Sequence, residues 1–224
     1  MNRPAAVVVL AAITLLGGCK KQVNASTTAS AAPADASPAS AATPAADATS
    51  LSYTDPPSVD VGLSVDQAYA AIPHRRTAWT ESQTTVPADE RAYLRTIFLV
   101  VDEAIAARVA GLQNFSQQRF DFIDVDGQFD RLISFTRSMP VPARLTAYHR
   151  QILAALSSDR QFFAEWKSQG ANFPYAQQLA ADGNVQAASA AAHAAYSELM
   201  SKYPAESQQN KDAFFDYHCA LDFL

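Results

Sequence analysis

Cysteine is the scarcest reactive group in this chain, with two residues in 224, Cys19 and Cys219. That number excludes the CxxCH attachment of a covalent haem. Glycine is scarce too, at seven residues, and no segment of useful length alternates apolar and polar residues with period two. Hairpin and sheet signals are therefore missing. No apolar run reaches the roughly 20 residues that a membrane span needs. Basic runs are short, and the formal charge is -5 with the signs interspersed. This argues against nucleic acid as partner, which requires a basic patch, and against a basic helix lying on a membrane. The nucleophile elbow G-x-S-x-G, S-x-x-K and the zinc motif H-E-x-x-H are all absent.

An apolar stretch from Ala5 to Leu16 is present, preceded by Arg3 and followed by Gly17 and Gly18. A positive start, a short apolar run and small residues are the three parts of a secretory signal. Leu16-Gly17-Gly18-Cys19 resembles the lipobox of bacterial lipoproteins. The resemblance implies cleavage before Cys19 and acylation of Cys19, so that residues 1-18 are a signal peptide and the membrane is reached through lipid alone. Several dozen buried CH2 groups at about 0.8 kcal/mol each suffice for stable anchoring. Lys20, in place of an aspartate after the lipidated cysteine, implies by the same resemblance the outer membrane, with the domain facing the periplasm. Cleavage would remove Arg3 and take the charge from -5 to about -6. It would also leave Cys219, set among Phe214, Phe215, Leu221 and Phe223, as the remaining thiol, and a packed side chain is expected there.

Residues 19-55 are almost entirely Ala, Ser, Thr, Pro and Asp, with no aromatic before Tyr53. Such a segment buries too little apolar surface to offset its conformational entropy, and disorder is expected. A flexible coil of about 35 residues spans roughly 30 to 35 Å, which makes it a tether. The domain is expected over 56-224, enough for one sizeable core. Ser64-Val65-Asp66-Gln67 predicts a capping box opening a short helix that stops at Pro73. Leu94, Ile97, Phe98, Val101, Ile105 and Leu112 stripe a long helix after Pro87. The spacing of Phe122, Phe129 and Ile133 predicts that helix continues over Gln117 to Arg137, with Gly127 as a point of interruption. Met139-Pro140-Val141-Pro142 is a break. A helix follows over Ala143 to Ser168, with Tyr148, Ile152, Phe163 and Trp166 on one face and Gly170 as terminator. A short helix over Phe173 to Ala181, an alanine-rich one over Val185 to Tyr203 and a last one over Ser207 to Phe223 complete the chain. The fold class is all-α, a bundle of four or five main helices with one or two short ones.

Candidate sites are few. Asp121, Asp124, Asp126 and Asp130 form the dense acidic cluster. Asp124-Val125-Asp126-Gly127 has the middle of a calcium-loop pattern, but the positions that need an acid at either end hold Phe122 and Ile133. A solvated acidic face able to meet a basic partner is the expected role. None of the four histidines pairs with another at helical ligand spacing. His218 and Asp222 could share a face, but two ligands make no metal site, and no metal or cofactor is expected. His74-Arg75-Arg76 complements the carbonyl end of the preceding helix. Glu90, Glu103, Glu165, Glu198 and Glu206 are scattered, with no catalytic pair at helical spacing.

An anchor, a tether and a compact domain without a catalytic motif form a layout similar to that of lipidated periplasmic immunity and inhibitor proteins. The resemblance implies a non-enzymatic protein that blocks a secreted toxin or cell-wall hydrolase by protein contact. An envelope assembly lipoprotein, and a helical enzyme or metal carrier around His218, are the alternatives.

Overall fold

The computed structural model describes residues 51–173 and 179–222, and these are helical throughout, with no strand among them. The signal segment, Cys19 and the linker up to Ser50 lie outside the described residues, as do Phe223 and part of the expected Phe173–Ala181 helix. The helices are α1 (Val65–Ala70), α2 (Ala88–Ser116), α3 (Val125–Ser138), α4 (Thr146–Gln169), α5 (Gly183–Lys202) and α6 (Gln208–Leu221). Five long helices and one short one agree with the expected all-α bundle.

Local chemistry explains the boundaries. The Ser64 capping box is formed in both directions and opens α1, an arrangement that contributes about 1 kcal/mol. Asp182 accepts from the backbone N–H groups of Asn184 and Val185 to open α5, and Ser207 does the same for α6 through Asn210. The Met139–Pro142 segment is extended, and it folds α4 back against α3. Gly170, at φ 55°, ends α4 as expected.

One expected continuity fails. The long helix stops at Ser116, and residues 117–124 form a loop before α3. Gln118 takes the left-handed conformation at φ 59°. Arg119 N–H donates to Asn114 O and Gln118 N–H to Phe115 O. These two bonds are the Schellman arrangement that usually marks a glycine. Gly127 does not interrupt α3: the Asp124 carboxylate folds over it, 2.0 Å from where a Cβ would stand.

Helix α2, about 43 Å long at 1.5 Å per residue, is the axis of the core. Tyr93, Leu94, Val100, Ala106, Ala107 and Val109 are all buried, so its whole girth is covered rather than one stripe. The alanines of α5 let it approach α4 closely, with Ala188, Ala191, Ala192 and Ala195 buried between them. Residues 51–63 lie along the bundle without regular structure. Tyr53 donates to Pro140 O at 3.0 Å and packs edge-on against Tyr93, Val59 N–H reaches Glu103, and Asp60 N–H reaches Gln128. The crossover from α1 to α2 is tied to the first half of α6. Thr77 donates to Asp216, Thr80 N–H to Asn210, and Thr84 and Thr85 to Glu206.

Candidate functional site

The chain enters the bundle where Tyr53 touches Tyr93, near the start of α2. The 117–124 loop follows the last turn of α2, some 23 residues along the helix from Tyr93, or about 35 Å away. The tether therefore attaches at one end, and the acidic cluster lies toward the other.

That loop carries Phe122, which is 62% exposed and is the large hydrophobic side chain left open to solvent among the described residues. The expected continuous helix put Phe122 with Phe129 and Ile133 on one apolar face. Because Gln118 turns the chain, Phe129 and Ile133 are buried and Phe122 is not. The Arg119 guanidinium lies 3.6 Å from the Phe122 ring centroid, a contact that restricts the ring by roughly 0.5–1 kcal/mol.

The acidic residues prove to be divided. Asp130 receives both a 3.1 and a 3.2 Å bond from Arg160 of α4. Lys167, one helical turn before the end of α4, reaches Asp126 at 3.2 Å and Asp124 at 3.8 Å. Burial pushes the Asp126 carboxyl up, but the Lys167 bond and the local backbone outweigh it and leave it below the usual range. These three carboxylates thus join α3 to α4, and Asp121 beside Phe122 lies outside the pairs. No group of three or more His, Cys, Asp or Glu among the described residues is placed to hold a metal.

Four carboxylates that sequence left unplaced or treated as polar surface are inside the protein: Glu90, Asp102, Asp159 and Glu206. Glu90 accepts from Tyr203 at 2.7 Å and Arg144 at 3.2 Å. Asp102 accepts from Tyr69 at 3.1 Å and Arg76 at 2.6 Å. Burial raises the Asp102 carboxyl even against the Arg76 charge. Arg76, read as a complement to the end of α1, does bond Asp66 of that helix as well as Asp102. Asp159 has no hydrogen-bond partner on either oxygen. It faces Arg108, whose guanidinium donates to the carbonyls of Ala220 and Asp222 at the end of α6. Each of these groups is spent on holding elements together, with no solvent path to a substrate on view.

The histidines gather where sequence placed no cluster. His193 bonds Asp222 at 2.9 Å, so Asp222 faces α5 rather than completing a fragment with His218. His74 stands 3.7 Å from the Cys219 sulfur. Cys219 is buried as expected but is disulfide-bonded, which corrects the expectation of a packed thiol. The chain matches no known protein family, no curated protein and no solved structure.

Proposed function

We propose that this chain is a lipid-anchored envelope protein that binds and blocks one protein partner, a secreted toxin or a wall hydrolase, through the 117–124 end of its bundle. The observation that carries the reading is Phe122: a large exposed side chain, held by Arg119 and flanked by Asp121 and Asp124, at the end of the bundle opposite the tether. Aromatic anchors of this kind supply most of the binding energy of protein interfaces, and flanking charge sets the encounter rate. The tether supports the same reading, since it would hold the domain at the membrane with that end directed outward.

Affinity capture with the full chain from envelope and secreted fractions should return one stoichiometric toxin or hydrolase and inhibit it. Phe122→Ala should weaken that complex by about 2 kcal/mol, roughly 30-fold, at unchanged thermal stability. Retained affinity in the Phe122 variant would move the interface elsewhere, and capture of nothing would end the inhibitor reading.

The anchor has its own test. A sulfur spent in a thioether is not available for a disulfide, so acylation of Cys19 and a disulfide between the two cysteines of the chain exclude each other. Intact mass should show residues 19–224 carrying a diacylglycerol and an acyl chain, with Cys219 alkylated once the chain is unfolded without reductant. A mass two hydrogens short, with no lipid, would refute the anchor.

A further inference from the structure

His74, His193 and His218 come from the crossover, α5 and α6, and they meet around the last turn of α6. His218 is the innermost, at 1% exposed. Its Nδ1 lies 2.5 Å from the Phe214 carbonyl. A carbonyl only accepts, so Nδ1 carries the hydrogen and the neutral ring keeps its lone pair on Nε2. Nε2 is buried without a hydrogen-bond partner. The walls around it are the rings of Tyr148 from α4 and Tyr196 from α5, at 5.6 and 6.2 Å. A second proton would create a buried cation and a donor with nothing to receive it.

The two halves of α6 are held by different chemistry. The first half is fixed to the crossover through Glu206, Asn210 and Asp216. Burial pushes the Glu206 carboxyl up, but bonds from Thr84, Thr85 and Asn210 together hold it below the usual range, so this clamp persists in mild acid. The second half ends on Arg108, Asp222 and His218.

We propose that the last turn of α6 is an acid-released clasp, which undocks when His218 gains a proton while the first half of the helix stays in place. The sign follows from the site. Burial is the chief cause that holds the His218 imidazole down, to about 4, with the Phe214 carbonyl opposing and His193 assisting. A group depressed in the folded state contributes its full stability above the ordinary histidine range, and that stability is lost as pH falls toward the folded value. The other charged groups around the turn differ in direction. His74 is lowered by burial and by Arg108, against Asp222 and Asp216, and it acts with His218. Protonated His193 binds Asp222 more strongly and acts against release. Burial raises the Asp159 carboxyl against the pull of Arg108, so the proton it gains in acid also favours the closed state.

Hydrogen exchange on the full chain at pH 7 and pH 5, corrected for intrinsic rates, tests the clasp. Protection over residues 214–222 should fall about 30-fold, while residues 208–213 and helices α2 to α4 change little. His218→Gln should abolish the acid response, and Asp159→Asn should enlarge it. Uniform loss across the domain, no loss in the wild type, or an unchanged loss in His218→Gln would overturn the proposal. Should that variant fail to fold, the wild-type imidazole resonance of His218 decides: titration below pH 5.5 supports the clasp, and titration at 6.5 or above refutes it.

Discussion

Replacing Arg108 by methionine is expected to destabilise the domain by about 3 to 5 kcal/mol, the cost of breaking a buried ion pair from one side, and to show as a large fall in the urea midpoint. Arg108 is buried in α2, and its guanidinium donates to Ala220 O and Asp222 O. These carbonyls belong to the end of α6, where the last four have no partner inside their own helix. The side chain thus does for α6 what a terminal glycine or water does elsewhere, and it adds a positive charge at the carbonyl end. It also stands as the cation facing Asp159, a carboxyl with no hydrogen bond to either oxygen. Methionine keeps much of the stem and removes all of this. The companion variant identifies which part dominates. If the loss is mainly an uncompensated carboxyl, Arg108→Met with Asp159→Leu should recover most of it, because a buried pair replaced by apolar groups of similar volume is often neutral. If the capping of α6 dominates, the double variant should stay near the single one. A single-variant loss under 1 kcal/mol would mean that neither role holds.

Sequence made the fold legible wherever the governing interaction was local. The Ser64 capping box spans four residues, and the Met139–Pro142 break rests on two prolines. The alanine run signalled close approach because small side chains have no other means of packing, and α5 does lie against α4. The loop after α2 was illegible because its left-handed residue is Gln118, and a glutamine there carries no turn signal. That single substitution for the usual glycine hid the exposure of Phe122. The candidate site was legible as a cluster and not as an arrangement. Asp124, Asp126 and Asp130 are adjacent in sequence, but Lys167 and Arg160, which bind them, belong to a helix that begins after the proline break. Arg108, Asp159 and His218 lie on three helices, and nothing in their local patterns draws them together.

Phe163→Ala is expected to cost about 3 to 5 kcal/mol, the range for truncating a fully buried aromatic. Phe163 has no exposed surface and touches four other rings: Phe115 at 5.7 Å, Phe129 at 5.9 Å, Phe162 at 5.1 Å and Trp166 at 6.5 Å. Edge-to-face and stacked contacts of this kind add to area burial, and the surrounding rings are too stiff to collapse into the space. The sequence placed Phe163 on the apolar face of α4 but gave no reason for Gly111 in the middle of α2, where glycine costs about 1 kcal/mol against alanine. The reason is the ring itself. A Cβ on Gly111 would stand 2.6 Å from Phe163 Cε1 and 2.9 Å from Cζ, so Gly111→Ala should destabilise by roughly 1 to 3 kcal/mol despite the better helix former. The two residues should therefore couple. Phe163→Leu withdraws the far edge of the ring, and in that background Gly111→Ala should cost clearly less, with an interaction term on the order of 1 kcal/mol in a double-mutant cycle. Additive costs would show that the glycine answers to something other than the ring, whereas a compensating pair would establish that α2 and α4 are set apart by the thickness of one phenyl group.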